Sequence, residues 1–120
     1  MEKILVVDDE HICSYFLGRA LEQEGFEVKT ATRGDEAVEI ARAFRPDILI
    51  TDWMLRDVYN GLEVAKLVHE LNADLKIIFI TGMAAEALRE NAEGVPIIEI
   101  MEKPVDIEDL LRVVRKTPGG

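Results

Sequence analysis

The sequence holds one cysteine, Cys13, in 120 residues. No internal disulfide can form, which is compatible with a reducing compartment. Aromatic residues are scarce at 6%, and Trp53 is the single tryptophan. Basic residues are in deficit: 14 Lys and Arg face 24 Asp and Glu, a net charge of −10. So acidic a chain lacks the footprint needed for a phosphate backbone, and direct nucleic-acid binding is not expected. Anionic membrane surfaces are disfavoured for the same reason. Long apolar runs are also missing, and MEKILVVDDE has no stretch long enough for a signal peptide or a span. These absences predict a cytoplasmic chain without membrane contact. Neither G-x-x-x-x-G-K-[ST] nor G-x-G-x-x-G occurs, so nucleotide binding has no motif behind it. His11 and His69 lack metal-ligand spacing, and neither is assigned a phosphohistidine role.

What is present is a regular series of short apolar runs. Hydrophobic residues make up 48%, enough for a real core, and the length fits one domain. Ile48 to Ile50 is a continuous apolar run too short for a helix, and it ends at Thr51-Asp52. Such a run suits a central strand of a parallel sheet, buried on both faces. Lys3 to Val7 repeats the pattern and ends in Asp8-Asp9-Glu10. Phe26 to Ala31 alternates and predicts an edge strand. Lys76 to Ile80 ends at Thr81-Gly82, and Pro96 to Met101 runs into Glu102-Lys103-Pro104.

Between these runs the apolar spacing is helical. Cys13, Phe16, Leu17, Ala20 and Leu21 predict the core stripe of a first helix, stopped by Gly25. Ala37, Ile40, Ala41 and Phe44 mark a second helix, closed by Pro46. Leu62 to Leu71 reads as a third. Ala84 to Ala92 is a weaker, Ala-rich fourth. Ile107, Leu110, Leu111 and Val114 stripe the last. The prediction is α/β: a doubly wound (βα)₅ parallel sheet with helices on both faces and right-handed crossovers.

In such a sheet the functional crevice lies at the carboxyl ends of the strands. Asp8 and Asp9, Asp52, Thr81 and Lys103 all follow strands there and should converge. Carboxylates crowded together resist joint ionisation, and a hard divalent cation relieves them. A nucleophilic Asp, Mg²⁺, a lysine counter-charge and a threonine donor suit phosphoryl transfer onto an aspartate. Singly, each residue has an ordinary structural use, such as a helix cap, a loop hydroxyl or a surface lysine. Their joint placement at four strand ends is what carries the signal.

The whole chain resembles the receiver domain of two-component response regulators, through VVDDE, LITDWML, FITGM and EKP in that order. The resemblance implies a flavodoxin-like fold with strand order 2-1-3-4-5, a receiver over 1–117, and a tail or linker start over 118–120. It implies a signalling switch rather than an enzyme, with Asp52 as phosphoacceptor. Asp9 is implied as direct Mg²⁺ ligand, with Asp8 acting through water and the Met54 carbonyl as a further ligand. Thr81 and Lys103 are implied to bind the phosphoryl group, and Lys103-Pro104 to be a cis peptide. The implied donor is a sensor histidine kinase or a histidine phosphotransfer protein. Ile12, Tyr15 and Arg19, opposite the predicted core stripe, are its candidate docking patch. The face of the fourth helix, fifth strand and last helix is implied as a possible homodimer surface.

Three departures from the family pattern stand out. The loop WMLRDVYNG has Arg56 where a proline is usual and is one residue longer. Ile100 replaces the usual Tyr or Phe three residues before the lysine. Met54 and Met83 are apolar where a polar side chain would orient a hydrolytic water, which predicts a long-lived phospho-form. The alternative function is a phosphorylation-independent, receiver-like interaction module. A small phosphatase using Asp52 is a further rival, but Asp52 and Asp57 do not form its D-x-D pattern.

Overall fold

The central strands alternate their side chains between two apolar layers, which is why apolar residues dominate them. In the computed structural model, which describes residues 2–55, 59–82, 88–89 and 94–116, the strands are β1 (Lys3–Val7), β2 (Glu27–Ala31), β3 (Ile48–Asp52), β4 (Lys76–Thr81) and β5 (Ile97–Glu102). The helices are α1 (His11–Gln23), α2 (Gly34–Phe44), α3 (Gly61–Leu71) and α4 (Ile107–Lys116). All five strands pair in parallel, in the order β2-β1-β3-β4-β5. This is the expected doubly wound sheet. Expectations placed on Arg56, Asp57, Met83 and the 118–120 tail lie outside the described residues. So does most of the 84–92 helix, of which Leu88 and Arg89 are described and helical.

Odd and even positions of β1, β3 and β4 separate cleanly. Ile4, Val6, Ile48, Ile50, Ile78 and Ile80 face α1 and α4, meeting Leu17, Leu21, Leu110 and Val114. Leu5, Val7, Leu49, Ile77 and Phe79 face α2 and α3, meeting Ala37, Ala41, Val64 and Val68. β3 is buried at every residue, as a central strand covered on both faces must be. β2 pairs with β1 alone and is the predicted edge.

Helix boundaries follow local chemistry. Asn60 caps α3: its Oδ1 accepts from Glu63 N at 2.8 Å, and Glu63 Oε1 accepts from Asn60 N at 3.0 Å. This reciprocal box satisfies two otherwise orphaned donors. α2 ends on Arg45 at φ 53°, a left-handed residue just before Pro46.

The stripe predicted for α1 needs a correction. The apolar spacing puts Phe16 in the core, but it is 64% exposed. The buried face is Ser14, Leu17, Gly18 and Leu21. At about 100° per residue, Phe16 lies on the far side of the helix from Ser14 and Gly18. Gly18 belongs inside because a Cβ there would come within 2.9 Å of Thr30 Cγ2 on β2. Small residues make the closest approach yet contribute no hydrophobic signal, so the larger Phe16 draws the prediction. Ile12 and Tyr15 are 72% and 57% exposed, and Arg19 is exposed, as predicted.

Candidate functional site

The strand order reverses between β1 and β3, and the residues of interest surround that point. Val7 pairs with Thr51, Asp52 with Ile80, and Thr81 with Glu102. This register brings the carboxyl ends of four strands level. Asp8 follows β1, Asp52 ends β3, Thr81 ends β4, and Lys103 follows β5. The backbone of Lys103 is tied to the neighbouring strand, its N–H donating to the Thr81 carbonyl at 2.7 Å. The Lys103-Pro104 bond is cis, as expected.

The Lys103 side chain reaches back across this edge. Its Nζ donates to Asp52 Oδ2 at 2.8 Å and to Glu10 Oε1 at 2.9 Å. It also lies 3.0 Å from Asp8 Oδ2. That last contact is an ion pair without hydrogen-bond alignment. Asp8 Oδ2 is a fully buried oxygen with no hydrogen bond, the sole such side-chain atom among the described residues. The other oxygen, Oδ1, accepts from the Glu10 N–H at 2.9 Å. Asp8, Glu10 and Asp52 each offer an oxygen, all within 4.8 Å of one another. Asp9 borders the same cleft of about 560 Å³, with Met54 and Lys103.

Asp52 is nearly buried and accepts from the Met54 N–H at 3.0 Å through Oδ1. Burial pushes its carboxyl above the ordinary range. Lys103 and the Met54 N–H pull it down, the Asp8 charge pushes the same way as burial, and the net direction is up. Burial works against the Lys103 ammonium, but its hydrogen bonds to Asp52 and Glu10 and its ion pair with Asp8 outweigh it and raise its pKa. The site therefore holds a permanent cation among more carboxylates than it can neutralise.

An all-oxygen donor set with a surplus of negative charge is what Mg²⁺ or Ca²⁺ prefers. The unbonded Asp8 Oδ2, buried inside that set, has an acceptor position to spare. The residues present thus fit a hard divalent cation.

Of the residues singled out from sequence, Asp8, Asp9, Asp52, Met54 and Lys103 share one cleft or contact, and Thr81 ends the adjoining strand. Ile12, Tyr15 and Arg19 are on the exposed face of α1 and are not among the residues lining that cleft. Sequence reasoning missed two participants. Glu10 pairs with Lys103, and its signal was present as the third acid of DDE. Cys13 lies near Asp8; burial first, and that carboxylate second, push its thiol up to about 12. The thiol stays protonated, consistent with an unreactive filler rather than a nucleophile.

Comparison with known proteins agrees with this geometry. The model of the response regulator receiver domain matches residues 4–115. The response regulator receiver protein CpdR of Brucella abortus (strain 2308) is 33% identical over 116 residues, covering 97% of this chain and 96% of that protein. The phosphate regulon transcriptional regulatory protein PhoB of Rhizobium meliloti (strain 1021) is 36% identical over 96% of this chain, which spans 51% of PhoB. A crystal structure of a response regulator from Burkholderia pseudomallei, with a phosphorylated aspartic acid, calcium ion and citrate, matches with TM-score 0.86 and 28% identity, over 97% of this chain and 68% of that one. The family match covers almost the entire sheet and its helices, and a relative of the same length shares a third of its residues; the chain belongs to the family of response regulator receiver domains.

Proposed function

We propose that this receiver domain accepts a phosphoryl group from a phosphohistidine onto Asp52 and thereby changes its partner contacts. The observation that carries the reading is Asp52 itself: a nearly buried strand-end carboxylate held at 2.8 Å by the Lys103 ammonium. In the transfer, an Asp52 oxygen attacks phosphorus while the P–N bond to the donor imidazole breaks. The electron pair stays on the imidazole nitrogen, which takes a proton. In this reading Lys103 neutralises phosphoryl oxygens and the Thr81 hydroxyl donates to them. Met54 N–H holds Asp52 in its rotamer, and burial limits water around the nucleophile.

Asp8, Asp9, Asp52 and the Met54 carbonyl are the proposed holders of Mg²⁺. When bound, the ion would supply Lewis-acid neutralisation of the phosphoryl charge. The Burkholderia relative, with its phosphorylated aspartic acid and calcium ion, supports a phosphoaspartate here. The chain acts as a switch that is itself modified rather than as an enzyme with an external substrate. It works in the cytoplasm, without touching DNA itself. Among the described residues no helix is long and apolar enough to cross a membrane.

The donor is a sensor histidine kinase or a histidine phosphotransfer protein, docking on Ile12, Tyr15 and Arg19. Alanine substitution of Ile12 and Tyr15 should slow transfer from the cognate protein and leave acetyl phosphate labelling unchanged. The face of residues 84–92, β5 and α4 is the proposed homodimer surface. To test the central reading, the chain is incubated with acetyl phosphate and MgCl₂ and its intact mass recorded. Gain of one phosphoryl group, abolished by EDTA and by Asp52→Asn, is expected. Equal labelling of the variant would refute Asp52 as acceptor.

A further inference from the structure

The Lys103 ammonium occupies the middle of the carboxylate cluster, within 3.0 Å of Asp8, Glu10 and Asp52. It is the cluster's present counter-ion. A divalent cation drawn by Asp8 and Asp52 must compete with it, because two cations cannot share the same oxygens without strong repulsion. The three carboxylates are not equivalent in this competition. The Asp8 and Asp52 side chains are 0% and 7% exposed, whereas that of Glu10 is 67% exposed. The two buried charges have most to gain from a divalent ion. Glu10 stands at the solvent rim, where holding an ammonium costs little desolvation.

Glu10 is also fixed relative to the other two. Its N–H donates to Asp8 Oδ1 at 2.9 Å, and it is the N-cap residue of α1. The Lys103 backbone is anchored on Thr81, so displacement of the ammonium is a side-chain movement. We propose that Glu10 is a positioning residue: it retains the Lys103 ammonium at the rim of the cleft when Asp8 and Asp52 are given over to a divalent cation. This keeps Lys103 beside Asp52, ready for the phosphoryl group, instead of releasing it to solvent. It rests on the divalent-cation reading of the cleft.

The test is a double-mutant cycle on Mg²⁺ affinity. MgCl₂ is titrated by calorimetry into wild type, Glu10→Gln, Lys103→Met and the double variant, with thermal melts to verify folding. Glu10→Gln should weaken Mg²⁺ binding about fivefold, the order expected for one charge-assisted, partly exposed hydrogen bond. In the Lys103→Met background the same change should alter affinity less than about twofold, since no ammonium remains to be held. Lys103→Met alone should bind Mg²⁺ more tightly than wild type. Equal weakening in both backgrounds would mean that Glu10 acts on the cation directly and would overturn the proposal, as would no weakening in either. Failure of wild type to bind Mg²⁺ at all would instead overturn the divalent-cation reading beneath it.

Discussion

Asp52→Asn should make the protein more stable at neutral pH while abolishing its phosphorylation. The ionised carboxylate is nearly buried and faces opposing neighbours. At an effective dielectric of about 20, its 2.8 Å contact with Lys103 is worth roughly 6 kcal/mol of attraction. Asp8 and Glu10, each within 4.8 Å, return roughly 3.5 kcal/mol of repulsion apiece. The Glu10 share is smaller in practice because that side chain is solvated. Attraction and repulsion thus nearly cancel, and the burial of a charge decides the sign, in keeping with the raised Asp52 carboxyl. Asparagine keeps the shape and removes the charge, and Lys103 retains Asp8 and Glu10. A gain of about 1 to 2 kcal/mol follows, or roughly 4 to 8 °C in Tm for a domain of this size.

The pH dependence supplies the sharper check. Folding raises the Asp52 pKa, so the folded form binds the proton more tightly than the unfolded form. Wild-type stability therefore falls as pH climbs from the ordinary carboxylate range, near 4, through the raised value. The asparagine variant has no proton to lose there and escapes this decline. Its advantage should be absent below about pH 3.5 and grow as the pH climbs toward neutrality. MgCl₂ should narrow the gap by stabilising wild type selectively. Thermal melts by circular dichroism across pH, with and without MgCl₂, measure all of this. A variant less stable than wild type at pH 7, or an advantage that does not change with pH, would refute the reasoning.

Gly61→Ala should cost about 3 kcal/mol in urea unfolding, because its Cβ would fall 2.0 Å from the Asp52 carbonyl oxygen and the strand end must move; an effect under about 0.5 kcal/mol would show that α3 yields freely. Cys13, with its thiol pushed up to about 12, should react with iodoacetamide at pH 8 at least about 100-fold more slowly in the folded protein than in urea. Rates within tenfold of each other would contradict the raised thiol pKa. Met54, exposed at the cleft and unable to orient water as a polar side chain would, predicts a phospho-form that survives for minutes after the donor is removed. Loss within seconds would refute that.

Much of the site was legible because its rules are local. A short apolar run reads as a buried strand whatever surrounds it, and the residue at its end is fixed by counting along the chain. Asp8, Asp52, Thr81 and Lys103 are found that way, and the order of the runs implies that their ends share one edge. The face of α1 was not legible. Ser14 and Gly18 lie inside because they permit close approach to β2, and hydrophobic spacing is blind to that; Phe16 is misassigned in consequence.

The sequence by itself determined the alternation of strands and helices, the parallel sheet and which side chains stand at its functional edge. These follow from periodicity and strand-end position, which the chain carries in every short window. The tertiary structure alone decided how those groups share charge. Glu10 and Lys103 are 93 residues apart, and their pairing depends on where α1 begins relative to the end of β5. Whether the Asp52 carboxyl rises or falls depends on burial set against three neighbouring charges, and those distances exist only once the sheet has brought its strand ends together.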